Sequence, residues 1–198
     1  MHTKKNRGTL SFGKKEKERK HKNNNTGRDI EKGHHIQKTK KEKMIPVIKI
    51  GIGFGDILFG SKMEEVRCCL GNPEQISNNG ESPNNVIAWH YWSRDYSIYF
   101  DESENYVFSS ASVDNCRAIL FGKNIFNCGL NNMKKLFQRN GYTDFLEEKD
   151  EDGSIDLTVW DAACVAFFHN KGKLNSFSWF TFTDDDTNET IWPDLPKE

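Results

Sequence analysis

The chain has 198 residues with 28 Lys+Arg and 29 Asp+Glu, a length that suits one large domain or two small ones. The near-neutral total hides an uneven spread: residues 1–44 hold 15 basic and 5 acidic groups, whereas residues 45–198 hold 13 and 24. No stretch of the acidic part approaches the ~20 apolar residues of a membrane-spanning helix. No apolar run follows the early charges as a secretory leader requires.

Residues 1–43 contain Lys4, Lys5, Lys14, Lys15, Lys17, Arg19, Lys20 and Lys22, and Phe12 is their one aromatic residue. Such a segment cannot bury enough surface to offset its ordering entropy, so it is predicted to be a disordered basic tail. Its lysines suit phosphates, and any nucleic-acid contact is assigned to this tail alone. A solvated arm, or translated sequence ahead of a start at Met44, is the simpler account.

From Met44 onward the pattern changes. Ile45–Ile50 reads as a leading strand, followed by Gly51-Ile-Gly53-Phe-Gly55. A dinucleotide loop from Gly51 would need glycine at 56, which is Asp56, so a flexible entry into a helix is expected instead. Ser61 with Glu64 reads as a capping box, and Met63, Val66 and Leu70 as the apolar stripe of a short helix stopped by Gly71 and Pro73. Strands are expected at Val86–Trp92, Tyr96–Phe100 and Tyr106–Val113. Arg117–Phe126 is a link. A second helix, capped by Asn131, carries Met133, Leu136 and Phe137 and ends near Gly141. Strands follow at Ile155–Trp160, Cys164–Phe168 and Leu174–Thr183.

Met63/Met133, Val66/Leu136 and Gly71/Gly141 share an offset of 70 residues, and matching Trp89 to Trp160 extends the series with three residues lost from the second loop. The expected fold is therefore α+β, two tandem repeats of a short helical segment packed on an antiparallel β-meander of three strands. Repeat 1 covers 44–116 and repeat 2 covers 117–198. The recurrence of Ile-Leu-Phe-Gly at 57–60 and 119–122 does not fit this offset and is taken as coincidence.

Catalytic chemistry has no visible constellation. The second part holds two histidines, His90 and His169, with no suggestive nucleophile nearby in sequence. Cys68, Cys69, Cys116, Cys128 and Cys164 show no C-x-x-C spacing and read as reduced structural thiols. The run Glu148 to Asp156 resembles the front of a calcium loop, but its twelfth position is Val159, so an acidic hairpin turn is expected. No catalytic residue, metal or cofactor is assigned.

Binding is the better-supported chemistry. Alternation puts Ile98, Phe100, Phe168 and Phe180 in the core and leaves Tyr99, Phe167, Phe177 and Trp179 on the opposite sheet face as partner anchors. Acidic loops around Asp101, Glu102, Glu148, Asp150 and Asp152 would steer a basic protein. A homodimer interface on the same face is the alternative, as in a structural or assembly protein.

The helix ending Leu70-Gly71-Asn72-Pro73, then Trp89-x-Tyr91, then Phe100-Asp101-Glu102, resembles the β-lactamase-inhibitor-protein-like fold. That fold also includes the small lipoprotein of the outer-membrane barrel-assembly machine. The resemblance implies a tandem repeat that grips a target with an aromatic-rich sheet and acidic loops. With no signal peptide, lipidation site or disulfide pattern read in the sequence, the expectation is a cytoplasmic inhibitor. It is read as an immunity protein that occludes a basic toxin such as a nuclease, and not as an enzyme.

Overall fold

The structure, a computed structural model, describes residues 45–79, 85–114 and 117–194. The described residues belong to one compact unit. The tail expected over residues 1–43 and the thiol of Cys116 lie outside the described residues.

In chain order the first elements are β1 (Val47–Lys49), β2 (Gly53–Phe54), β3 (Ile57–Leu58), α1 (Met63–Leu70), β4 (Gln75–Asn79), β5 (Val86–Tyr91), β6 (Tyr96–Asp101) and β7 (Val107–Val113). Then come β8 (Ile119–Leu120), β9 (Lys123–Asn124), α2 (Leu130–Arg139), β10 (Phe145–Lys149), β11 (Ile155–Val159), β12 (Cys164–Phe168) and β13 (Leu174–Phe180). The short strands β14 (Phe182–Thr183) and β15 (Thr190–Ile191) close the chain. Fifteen strands stand against two α-helices of eight and ten residues among the described residues, so the expected α+β class gives way to a mostly-β fold.

The main sheet has eight strands in the order β10-β11-β12-β13-β7-β6-β5-β4, every neighbouring pair antiparallel. Two four-stranded meanders therefore meet along β7 and β13 in one continuous sheet, where three-stranded meanders were expected. The strands overlooked in sequence are β4 (Gln-Ile-Ser-Asn-Asn) and β10 (Phe-Leu-Glu-Glu-Lys), whose polar composition hides their pairing. A second, five-stranded sheet runs β3-β2-β1-β8-β9, with β1 antiparallel to β2 and parallel to β8. The two Ile-Leu-Phe-Gly runs are not equivalent here. Ile57-Leu58 forms the edge of its hairpin, whereas Ile119-Leu120 pairs directly with β1.

The glycine-rich run forms tight turns of this small sheet and is no flexible linker. At Gly53, φ is 151° and an added Cβ would come within 2.0 Å of the Ile57 carbonyl oxygen, so only glycine fits. Each helix begins where the local chemistry allows, and neither start is the one read from sequence. The backbone N–H of Lys62 donates to the Glu65 carboxylate at 2.6 Å, so Ser61 and Glu64 do not form the box. Gly129 occupies the cap of α2, leaving Asn131 inside the helix.

Both helices and the small sheet pack on one face of the main sheet. Val66 and Leu70 of α1 and Met133 and Phe137 of α2 join a single core with Trp89, Ile98, Phe100 and Phe168. Arg67 lies over the Trp89 ring at 5.0 Å, Phe137 lies 6.4 Å from Phe177, and Phe54 lies 5.8 Å from Trp179.

Phe177 and Trp179 thus belong to the core, fully buried, and not to the open face. The cause is a β-bulge. Phe167 pairs with Ser176 but Phe168 pairs with Leu174, which leaves Asn175 as an extra residue. One inserted residue inverts the inside–outside alternation of everything after it. Leu174 points inward before the bulge, Phe177 and Trp179 point inward after it, and half-buried Phe180 moves to the other face. The first meander has a matching bulge, where Tyr99 pairs with Ser110 and Phe100 with Phe108, skipping Ser109.

The match of Trp89 to Trp160 is also overturned. Trp160 opens a 3₁₀ turn after β11, as Trp92 does after β5, and each turn ends in a left-handed residue, Ala163 or Asp95. The two connections are equally long, so nothing is missing from the second. Trp92 is the positional counterpart of Trp160.

Trp179 fixes the junction between the sheets, since its indole N–H donates to the Gly53 carbonyl at 3.0 Å. Trp179→Ala is expected to lower unfolding stability by about 3–5 kcal/mol, because it removes a buried aromatic and leaves a cavity. Urea titration checks this. A loss below about 1 kcal/mol would place Trp179 at the surface instead.

Candidate functional site

The face of the main sheet turned away from both helices is the candidate site. Register places one residue from each strand in a row across it: Gln75, His90, Ser97, Ser112, Ser178, Val165, Thr158 and Leu146. On one side of this row lie Ala88, Tyr99, Ser110 and Phe180, and on the other Ser176, Phe167, Asp156 and Glu148. Tyr99, Phe167, Phe180 and Val165 are half-buried. These rows hold carboxylates at Glu148 and Asp156 and no Lys or Arg.

The row is hydrogen-bonded at its first-meander end. His90 Nε2 lies 2.8 Å from Ser77 Oγ, and Nδ1 lies 2.9 Å from Ser97 Oγ. Beside it, Tyr99 Oη and Ser112 Oγ are 3.1 Å apart. Burial pushes the His90 imidazole below its ordinary pKa, which favours the neutral ring. A neutral imidazole donates through one nitrogen and accepts through the other, and a serine hydroxyl can serve either.

A serine, imidazole and third group in line invite comparison with a hydrolytic triad. The third position here is Ser97, a hydroxyl with no charge to stabilise an imidazolium. The arrangement supplies directional, uncharged hydrogen-bonding groups on a sheet surface. That chemistry suits recognition.

Trp92 closes this end of the row. Its ring stacks on His90 with centroids 4.3 Å apart and planes 5° from parallel, and its Nε1–H donates to Gln75 Oε1 at 3.2 Å. The following residue, Ser93, donates its backbone N–H to both Glu74 carboxylate oxygens at 2.9 and 3.2 Å and its hydroxyl to Glu74 Oε1. The Ser93 hydroxyl bond, then its backbone bond, hold the Glu74 carboxyl below its usual range.

Of the four aromatic anchors read from sequence, Tyr99 and Phe167 occupy the open face, and Phe177 and Trp179 do not. The acidic candidates do not gather into one patch, since β6 and β10 are separated by four strands. Asp101 accepts from Ser103 N–H at 2.9 Å and its hydroxyl at 2.8 Å, and Glu102 lies in the 3₁₀ turn so capped. Glu148 is exposed at the sheet edge. Asp150 and Asp152 accept from the Ser154 hydroxyl at 3.2 and 2.6 Å, and Asp152 also accepts the Ser154 N–H at 2.9 Å. The last two therefore hold a hairpin turn together.

Sequence reading missed Ser77, His90, Trp92, Ser97 and Phe180. The signal available for this face as a whole was the spacing of serines two apart in Ser110/Ser112 and Ser176/Ser178, which marks one side of a strand. The Cys68 and Cys69 thiols are exposed on α1, Cys128 is half-buried and Cys164 is buried. Among the described residues no cluster of three His, Cys, Asp or Glu side chains could hold a metal ion. No described helix is long and apolar enough to cross a membrane.

No family model matches the chain, and no curated protein does. Among solved structures, an extracellular protein containing an SCP domain from Bacillus anthracis str. Ames is similar, with 11% identity and a TM-score of 0.38. The similarity covers 70% of this chain and 50% of that one, so the chain spans about half its length.

Two outcomes are expected. The lowered His90 pKa means that the unfolded chain takes up a proton more readily than the folded one. His90 therefore supports stability above about pH 6.5, and this support is lost as pH falls through its lower folded value. Urea midpoints across this range should fall less steeply for His90→Gln than for the unsubstituted protein. Equal slopes would mean that the imidazole is not desolvated. Separately, Ser154→Ala should cost about 1–3 kcal/mol by leaving the turn carboxylates without their shared donor, read from thermal melts.

Proposed function

We propose that the acidic part of the chain is a protein-binding inhibitor that catalyses nothing, a cytoplasmic immunity protein that occludes a basic toxin such as a nuclease. One observation carries this reading. An eight-stranded sheet buries one face under two helices and a second sheet, while its other face presents half-buried Tyr99, Phe167 and Phe180 among hydroxyls. Surfaces that mix rigid aromatics with small polar groups suit protein recognition, because aromatic rings bury large area for few rotors.

Charge supports the same reading. Residues 45–198 carry 13 basic against 24 acidic groups, and the open rows include Glu148 and Asp156 without a Lys or Arg. Such a field raises the encounter rate with a cationic protein and disfavours acidic ones. The resemblance of Leu70-Gly71-Asn72-Pro73, Trp89-x-Tyr91 and Phe100-Asp101-Glu102 to the β-lactamase-inhibitor-protein-like fold points toward inhibition by occlusion. The anchors in this revised reading are Tyr99, Phe167 and Phe180, with Phe177 and Trp179 withdrawn.

The full-length protein, used as bait, should retain a basic protein and block its activity on co-incubation. Tyr99→Ala and Phe167→Ala should each weaken that complex about tenfold or more, equivalent to ~1.4 kcal/mol. Melting temperatures should stay close to the unsubstituted protein, since neither ring belongs to the core. Unchanged affinity in both well-folded variants would rule out this face as the interface. Conversion of a dimer to a monomer by either substitution, with no partner present, would favour a homodimeric structural protein.

A further inference from the structure

Trp92 is 46% exposed although His90 covers one side of its ring. The area open to solvent therefore belongs to the opposite ring face and the edge. The ring is also fixed: the His90 stack sets its tilt, and the bond to Gln75 Oε1 sets its rotation. A preordered ring loses little conformational freedom when a ligand lands on it.

An anion stands next to it. Glu74 is exposed, and its carboxylate is tied to Ser93, the residue that follows Trp92 in the chain. A carboxylate accepts about four hydrogen bonds, and the three from Ser93 leave Oε2 one further acceptor position. Arg94, the nearby cation, adds its charge to the Ser93 bonds in lowering the Glu74 pKa, and it makes hydrogen bonds elsewhere. Its Nη1 donates to the Leu70 carbonyl at 2.9 Å and to Tyr96 Oη at 3.0 Å, with its guanidinium over the Tyr91 ring at 5.5 Å.

A fixed indole face beside a carboxylate matches one side chain closely. Guanidinium is planar and weakly hydrated, so it stacks on the ring while one N–H reaches the acceptor position that Ser93 leaves on Oε2. An ammonium has the charge without the plane, and a neutral ring has the plane without the charge. The protein already uses the stacking half of this chemistry internally, with Arg67 over Trp89 at 5.0 Å.

We infer that Trp92 and Glu74 form an arginine subsite at the β4 end of the open face, where an arginine of a basic partner protein docks. This deepens the binding reading above and rests on it for the partner. It makes Trp92 and Glu74 determinants of which basic partner is accepted.

The test uses full-length protein with its tryptophans ¹⁵N-labelled, the Trp92 indole signal being assigned by substitution. Probes are a hexa-arginine peptide, a hexa-lysine peptide and glucose. The arginine peptide should move the Trp92 signal at concentrations about tenfold lower than the lysine peptide, and glucose should not move it. Glu74→Gln should weaken the arginine response several-fold with the other indole signals in place. Equal responses to both peptides, a response to glucose, or an unchanged response in Glu74→Gln would each overturn the subsite. The two readings fail separately. If Trp92 responds as expected while Tyr99→Ala and Phe167→Ala leave the partner bound, the subsite stands and the open-face reading falls.

Discussion

Pairing between β7 and β13 holds the architecture together. Four register pairs, from Val113 with Phe177 to Ser110 with Phe180, turn two meanders into one sheet. Trp179 sits within that seam opposite Ala111 and reaches across to the Gly53 carbonyl, so the same residue that lines the seam also anchors the small sheet. The small residue opposite makes room for the large one, and the close backbone at Gly53 gives the indole N–H a partner. Without this seam, the row from Gln75 to Leu146 would be two unconnected halves.

Sequence patterns revealed the buried stripes well and the face assignment partly. Val66, Leu70, Met133, Phe137, Ile98, Phe100 and Phe168 were all legible as core, because period and apolarity agree at those positions. Phe177, Trp179 and Phe180 were not. Their alternation depends on an extra residue at Asn175, and a bulge is written in backbone geometry more than in composition. The class was misjudged for a related reason. Strands of two residues such as β2, β3, β8 and β9 carry no periodic signal, and β4 and β10 are polar, so most of the strands went uncounted.

The candidate site was legible in Tyr99 and Phe167 and illegible in its contacts. Ser77, His90 and Ser97 are separated by 13 and 7 positions, and only the pairing of β4, β5 and β6 brings them together. Trp92 read as the end of a strand, whereas it opens the turn after one. The acidic residues were easiest to see in the sequence, but their hydrogen bonds were not. Asp101, Asp150 and Asp152 spend their oxygens on local N–H and hydroxyl groups, and so shape turns before they meet any partner.

The seam also has a consequence for synthesis. Val113 and Phe177 pair although they lie 64 positions apart in the chain, so the first meander leaves the ribosome with β7 as an edge strand. That edge must wait for a second hairpin, a helix and three more strands. Exposed edges recruit other chains when they are long, flat and apolar. The waiting stretch here is Ser109-Ser110-Ala111-Ser112, small and hydroxyl-rich, with a bulge at Ser109 that interrupts regular pairing. The residues that give the mature face its polar row thus also make the unfinished chain a poor template for aggregation.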